Sequence, residues 1–279
     1  MAFSILNNIA GIQAQNQLNI NSVNLNRTLL RLSSGKRINS GADDAAGLGI
    51  ANSLQANVRA LDQAVRNAND AVSVSQIADG ALQQITDLLT RGFSLAEEAA
   101  TDTVDSTGRA ALNSELESIR TEIGRIATQT NYNGLGIFST GGINGSLHVF
   151  VGDTSQASSI SVTIATLSTA DIGGANLDDA SLATKSDAVT AIDTLKTALT
   201  TISSSRADIG AGINRLQSAI SVLQTQSQNT QAAQSNIMDA NMAEEIANLT
   251  KFQILAQTGI AALTQANATA QSVLTLLKG

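Results

Sequence analysis

The chain of 279 residues contains no cysteine, no proline and no tryptophan, and its aromatic residues are limited to five phenylalanines and one tyrosine. Without cysteine there are no disulfides and no thiolate chemistry, although this absence does not decide the compartment. The absence of proline removes the strongest helix breaker and favours long uninterrupted helices. Because aromatic residues are scarce, the core must consist of leucine, isoleucine, valine and alanine, which suits a thin seam between paired helices better than a thick globular core.

Charge and hydropathy argue against two kinds of partner. The formal net charge of −7 argues against nucleic acid. No stretch approaches the ~18 consecutive apolar residues that a membrane span requires, so we predict no membrane insertion. The first basic residue is Arg27, and residues 5–25 mix isoleucine and leucine with asparagine and glutamine, unlike a secretory signal. Composition alone therefore predicts a cytosolic protein.

Residues that could carry catalysis or hold a cofactor are few. His148 is the only histidine, and it lies in a predicted strand with no carboxylate beside it in the sequence. A zinc motif would need cysteine or a second histidine. The pairs Gly134-x-Gly136 and Gly210-x-Gly212 lack the third glycine of a dinucleotide-binding fingerprint, and there is no P-loop. We therefore predict a protein that is not an enzyme and has no cofactor or metal.

Two long stretches carry apolar residues at alternating spacings of three and four, the pattern of a helix that packs along a partner helix. They predict helices from about 44 to 100, roughly 85 Å long at 1.5 Å per residue, and from about 184 to 242. Only Arg206 interrupts the second stripe. The matched stripes predict a long antiparallel coiled coil with these seam residues: Leu54, Val58, Leu61, Val65, Leu82, Ile85, Ile192, Leu195, Leu199, Ile202, Ile209, Ile213, Leu216 and Ile220.

The segment between these helices has a different character. A shorter helical stripe at 112–126 predicts a third helix along the outer half of the pair. Apolar residues then alternate at every second position at 147–151 and 160–164, which predicts a β-hairpin within about 135–165. Residues 165–180 are rich in serine, threonine, aspartate and glycine, and we predict a surface loop there.

Both ends of the chain are poor in charge. Residues 1–26 carry no charged side chain, and from residue 246 onward the only charges are Lys251 and Lys278. Because soluble helices normally carry charge on their outer face, these ends suggest surfaces that other copies of the chain bury. The alternative is two terminal helices that pack on each other within a monomer. The predicted packing residues of this inner domain are Ile5, Ile9, Ile12, Leu249, Phe252, Ile260, Leu263, Val273 and Leu277.

The predicted fold class is therefore mainly α: a long antiparallel α-helical coiled-coil bundle with a small β-hairpin region, plus a terminal two-helix inner domain. The inner domain combines two segments, residues 1–43 and 244–279. The long-helix bundle comprises residues 44–243.

Three stretches resemble bacterial flagellin, the subunit of the flagellar filament. The first spans residues 25–47 and includes Arg-Leu-Ser-Ser-Gly-Lys-Arg-Ile-Asn-Ser-Gly-Ala-Asp-Asp at 31–44. The second is Arg-Ala-Asp-Ile-Gly-Ala at 206–211 with Asn-Arg-Leu at 214–216. The third includes Gln-Ile-Leu-Ala-Gln at 253–257 and Val-Leu-Thr-Leu-Leu at 273–277. The chain looks like a short form without the variable outer domains that other flagellins insert in the middle.

The resemblance implies a structural subunit that leaves the cell unfolded through the flagellar export channel, which replaces the cytosolic prediction with a secreted, extracellular one. It implies a homopolymer, an export chaperone on the C-terminal helix, and filament cap and hook-junction proteins as further partners. We expect the terminal helices to be disordered in the monomer and to become ordered on assembly, because a lone helix pair buries too little apolar surface to offset its backbone entropy.

The resemblance also implies a contact with a host innate immune receptor through Arg91, Leu95 and Glu115, although the intervening residues 92–94 depart from the usual pattern. Two other readings stay open. A hook–filament junction protein shares flagellin-like ends, and a signalling coiled-coil hairpin would share long alanine-rich heptads without needing charge-free ends.

Overall fold

A computed structural model describes residues 8–139, 143, 145–152, 159–167, 172 and 175–278, and for residues 270 and 273–278 it describes only the backbone. The fold is mainly α, as predicted. The α-helices are α1 (Ile9–Ser34), α2 (Ala45–Ala99), α3 (Ser106–Gln129), α4 (Lys185–Met238) and α5 (Met242–Lys278). The strands are β1 (Asn131–Tyr132), β2 (Leu135–Gly136), β3 (Ser146–Phe150) and β4 (Ser159–Thr163), and a 3₁₀ turn covers Leu177–Asp179.

The chain forms two compact units. The end unit comprises Met1–Ala56 and Asn229–Gly279, and the middle unit comprises Asn57–Gln228. These boundaries fall inside α2 and α4, whereas the sequence pattern predicts boundaries at residues 43 and 244, just before α2 and in the first turn of α5. Helix periodicity locates the ends of helices, but it does not reveal how a long helix divides between compact units.

In the middle unit, α2 and α4 run antiparallel. Polar contacts fix their alignment at three levels, at Ser227 with Asp62, Arg206 with Asp79, and Lys185 with Asp102 just beyond the end of α2. Apolar residues fill the space between the helices because they recur at threes and fours and so stay on one face. The interior therefore follows the length of the helices, with Leu82, Ile85 and Leu195 among the fully buried side chains.

Helix α3 is capped at its N-terminus by Asp105, whose carboxylate accepts a hydrogen bond from the Gly108 N–H at 2.8 Å. Capping of this kind satisfies an amide that has no partner within the helix. Leu116, Ile119 and Ile123 then lie buried against the long helices. The third helix predicted from the stripe at 112–126 thus exists and is longer at both ends than the stripe itself.

The predicted hairpin is β3 paired with β4. Leu147 lies opposite Val162 and Val149 opposite Ile160. These pairs share one face of the ribbon because side chains alternate along a strand. Val149 and Val162 are buried against residues of α2 and α4, and Val162 contacts the backbone of α4 at Gly212. A second, two-residue ribbon joins β1 and β2, with Asn133 and Gly134 in the left-handed region at the turn.

The surface-loop prediction for residues 165–180 is wrong for its apolar residues. Leu167, Ile172, Ala175 and Leu177 are all buried in the core of the middle unit. The Leu167 N–H donates to the Phe138 carbonyl at 3.2 Å. Isolated apolar residues in a polar segment show no periodicity. The mostly polar composition of residues 165–180 therefore did not reveal the apolar side chains that hold the segment to the core.

In the end unit, α1 and α5 are antiparallel. Asn8 Nδ2 donates to the Ala266 carbonyl at 3.2 Å, and at the other end Arg31 pairs with Glu245 at 3.4 Å. The connectors after α1 and α4 also meet, since the Arg37 N–H donates to the Met238 carbonyl at 2.6 Å. The chain therefore brings its two terminal helices together side by side.

Candidate assembly interface

Helix α1 carries an apolar stripe that faces away from α5. More than half of each side chain on this stripe is exposed, at Ile9, Ile12, Ile20, Val23 and Leu30. Because neighbouring residues are about 100° apart around a helix, residues two apart in the sequence lie on nearly opposite sides. The positions two residues after those of this stripe therefore form a second face, almost opposite to the first. We call the exposed apolar set the outer stripe of α1.

The side of α1 that packs against α5 has the opposite character. Its fully buried residues are Gly11, Asn21 and Thr28, none of which is a large apolar residue. Partly buried leucines such as Leu18 and Leu25 complete this inner face. The contact between the two helices is thus made by small, polar and half-buried leucine side chains, whereas the outer surface of α1 is apolar.

Helix α5 has a similar distribution. Ile246, Ile254 and Ile260 are each more than half exposed, and Lys251 is the only charged side chain between Ile246 and Ser272. The inward face contains Gly259, whose Cα lies close enough to Leu18 that an added Cβ would be 3.2 Å from its Cδ1. Small residues allow the two helices to approach closely but supply little buried area.

The residues predicted for inner-domain packing divide accordingly. Ile9, Ile12 and Ile260 lie exposed on the outer surfaces, so they do not form the contact between α1 and α5 within one chain. Leu249, Phe252 and Leu263 are partly buried on the inward face of α5. Ile5 and the side chains of Val273 and Leu277 lie outside the described residues.

None of the predicted seam residues of the long helices is exposed. The structure buries some and half-buries the others. The buried ones are Leu61, Leu82, Ile85, Leu195, Ile202, Ile209 and Leu216, and the partly buried ones are Leu54, Val58, Val65, Ile192, Leu199, Ile213 and Ile220.

Arg206, the polar interruption of the seam, is held by α2. Its Nε donates to Asp79 at 2.8 Å and its Nη1 donates to Gln83 at 2.5 Å. The hydrogen bond to Asp79 raises the pKa of the Arg206 guanidinium above its ordinary value. The charge therefore stays at the edge of the seam, with a partner on the facing helix.

The three residues assigned by resemblance to a receptor contact do not form one surface. Arg91 and Glu115 are exposed and form an ion pair at 2.8 Å between α2 and α3. Leu95, however, is only 1% exposed and belongs to the core. The assignment of Leu95 as a direct receptor contact is therefore wrong for this structure, because its side chain packs into the core. The resemblance matched the residue type but did not show which way the side chain faces.

The connector between α1 and α2 contains polar contacts made by two neighbouring aspartates. Asp44 accepts a hydrogen bond from the Gly47 N–H at 2.8 Å and caps α2. Asp43 accepts instead from Asn39 and Ser40, and the hydrogen bond from the Asn39 N–H, followed by that from Ser40, holds the pKa of the Asp43 carboxyl below its usual value.

Within the described part of the chain, no helix combines the length and the apolar character that crossing a bilayer requires. Long paired helices, a seam of aliphatic residues and outward-facing apolar stripes define a helical structural protein whose surfaces suit assembly. Comparison with known proteins identifies the family. The profile for the bacterial flagellin N-terminal helical region matches residues 5–142, and that for the bacterial flagellin C-terminal helical region matches residues 192–277.

The nearly complete alignments extend this result. The flagellar filament 30.7 kDa core protein of Treponema maltophilum is 35% identical over 98% of this chain and 99% of its own length. A flagellin of Halalkalibacterium halodurans is also 35% identical, again over 98% of this chain and 99% of the relative. The chain belongs to the bacterial flagellin family, and it is a structural subunit of a flagellar filament rather than an enzyme.

One solved structure shows the same fold. It comes from a Vibrio parahaemolyticus protein assigned to the flagellar hook-associated class, which has a TM-score of 0.60 and 15% identity, and the match covers 71% of this chain and all of that one. At this identity the likeness concerns the fold alone.

Proposed function

We propose that this chain is exported unfolded and polymerises at the tip of a growing extracellular filament, where its terminal helices become ordered by packing against neighbouring copies. The observation that carries the proposal is the exposed apolar surface of the α1–α5 pair. Isoleucines of both helices are more than half exposed on its outer side, whereas the residues of α1 that are buried on its inner side are glycine, asparagine and threonine, beside half-buried leucines.

The energetics favour assembly over a folded monomer end. Ordering a residue costs ~1–2 kcal/mol of backbone entropy, and an inner face whose large apolar side chains are only partly buried offsets little of it. Fully burying an isoleucine or leucine contributes roughly 1.5–3 kcal/mol, so covering a half-exposed side chain contributes about half of that. Each residue of the outer stripe can therefore stabilise the helix only when another copy covers it.

The same surfaces suit the accessory partners. A cytoplasmic export chaperone would cover the apolar outer face of α5, which includes Ile246 and Ile260, until the subunit is delivered. A cap complex would hold incoming subunits at the tip, and hook-junction proteins with similar ends would contact the first subunits. Heterologous head-to-tail contacts between copies then generate an open helical filament.

Removal of residues 246–279 tests the assembly role. We expect the middle unit to stay folded, because residues 57–228 form a compact unit by themselves, and we expect polymerisation to be lost. Circular dichroism checks folding, and sedimentation with electron microscopy checks the polymer. Filaments formed by the truncated chain would refute the proposal.

Limited proteolysis of the dilute, full-length monomer tests the disorder of the ends. Trypsin sites at Arg27, Arg31 and Lys251 lie within α1 and α5. We expect trypsin to trim both ends to a stable core in the monomer and to spare them in the polymer. Ends that resist trypsin in the monomer would show that the helix pair is stable without other copies.

A further inference from the structure

The packing between α1 and α5 is nearly repetitive along the helices. On α1, leucines recur at every seventh position of the inner face, at 18, 25 and 32. On α5, Leu249, Ala256 and Leu263 recur in the same way, and so do Phe252, Gly259 and Ala266. A slip of seven residues, about 10 Å along the helix, would place Ala266 opposite Leu18 in place of Gly259, a difference of one methyl group, and the other leucines would again face apolar or small side chains, so apolar packing discriminates weakly between registers.

One polar cluster lies at the base of this pair and does not repeat. Glu245 is only 7% exposed, and its Oε1 accepts a hydrogen bond from Arg31 Nη1 at 3.4 Å. Nearby, the Arg37 guanidinium donates to the Ile237 carbonyl at 2.8 Å, and the Arg37 N–H donates to Met238. We call the Arg31–Glu245 pair together with the contact of the Arg37 guanidinium the base clamp.

A slip by one heptad would leave Glu245 without Arg31. In that register Arg31 would lie at the level of Phe252, and the buried carboxylate would lose its cationic partner. Removing one partner of a largely buried ion pair is strongly destabilising, whereas replacing both partners by apolar side chains is often neutral or favourable. A buried polar pair of this kind therefore selects one register, at some cost in stability.

We propose that the base clamp determines the register in which α1 pairs with α5, and thereby the positions of their outer stripes on the assembling subunit. This inference rests on the proposed assembly function, since the outer stripes have a role only if other copies cover them. The clamp acts through the position of the helices, and its residues need not contact another copy.

Disulfide formation can report the register, because the chain has no cysteine of its own. The Cβ of Leu18 lies 4.0 Å from the position of a Cβ built at Gly259, within the range for a disulfide. The pair L18C/G259C therefore reports the observed register. The pair L18C/A266C, one heptad away on α5, reports the slipped register.

The two reporters are compared in three backgrounds: the otherwise unchanged chain, the apolar variant R31L/E245L/R37A, and the charge-reversed variant R31E/E245R, which keeps an ion pair and Arg37. Cross-linking is measured by mass spectrometry in the pelleted polymer, where both terminal helices are expected to be ordered, and the soluble monomer serves as the disordered reference. In the unchanged and charge-reversed chains we expect L18C/G259C to cross-link at least about tenfold more than L18C/A266C. In the apolar variant we expect this ratio to fall towards one.

An unchanged ratio in the apolar variant would overturn the proposal, because small and apolar side chains would then suffice to set the register. The charge-reversed chain controls for folding, since it alters the same helix positions but restores the pair. Sedimentation of the unchanged chain is scored separately. Failure of that chain to polymerise contradicts the assembly function, whereas normal polymerisation with an unchanged ratio contradicts only the clamp.

Discussion

The contact between the β3–β4 hairpin and α4 predicts that alanine substitution has opposite effects on stability at two nearby glycines. A Cβ added at Gly212 would lie 2.6 Å from Val162 Cγ1, 3.0 Å from its Cγ2 and 3.2 Å from its Cβ, whereas a Cβ at Gly210 would meet nothing within 4 Å. Because Val162 is buried and valine has few rotamers, it cannot move aside freely. Gly210→Ala should stabilise the middle unit by about 0.5–1 kcal/mol through helix propensity alone.

Gly212→Ala gains the same propensity but must displace the hairpin. Overpacking of this kind typically costs ~1–3 kcal/mol, so we expect Gly212→Ala to be less stable than Gly210→Ala by about that amount. Urea unfolding of the full-length monomer, followed by circular dichroism, measures the difference. In the Gly212→Ala chain, Val162→Ala removes both γ carbons and should cost less than it does in the unchanged chain.

Equal stability of the two alanine variants, or strict additivity with Val162→Ala, would refute this account of the hairpin. Equal stability would mean that the β3–β4 ribbon can lift away from α4 at little cost. Additivity would mean that Val162 is not the group that the new methyl meets.

Three further predictions concern the end unit. Ile20→Ala should raise the critical concentration for polymerisation about fivefold, because it removes ~1 kcal/mol of apolar burial between copies. Asn19→Ala, at the neighbouring position, should leave the critical concentration unchanged. Equal effects of the two substitutions in sedimentation assays would contradict an apolar contact through the outer stripe. Asp44→Ala should cost about 1 kcal/mol at the start of α2, measurable as faster amide exchange there, because it removes the N-cap. Because the pKa of Asp43 is lowered in the fold, the carboxylate stabilises the connector above an aspartate's ordinary pKa of about 3.9, and this stabilisation is lost as the pH falls through the lowered value. Asp43→Asn should abolish this pH dependence in amide exchange of the connector measured between pH 5 and pH 2. A pH profile that the substitution leaves unchanged would contradict this role of Asp43.

The long helices could be read from the sequence because their pattern is continuous. The stripe predicted a helix from about 44 to 100, and α2 covers Ala45–Ala99. The alternation at 147–151 and 160–164 likewise predicted the strands β3 and β4. Both patterns are local consequences of backbone geometry, since a helix or strand that covers a core on one side must repeat its apolar residues with its own period.

The faces of the terminal helices could not be assigned in the same way. Helix α1 carries apolar residues on two opposite sides, so the positions of Ile9 and Ile12 in the sequence did not reveal that they face outward. A helix with two apolar faces needs a packing partner on each face, but the sequence pattern does not show which of the two partners belongs to the same chain. Only the close approach of α5 to Leu18, at Gly259, distinguishes the two faces.

The sequence by itself determined the helical class, the lengths of the long helices, the hairpin and the family, because these depend on periodicity and on motifs that are contiguous in the chain. The tertiary structure alone decided that Leu95 is buried, that the hairpin rests on Gly212, that Ile172 anchors a polar segment, and that Arg31 meets Glu245. These features depend on distances between residues far apart in the chain, and such distances are fixed only when packing has selected one arrangement of the helices.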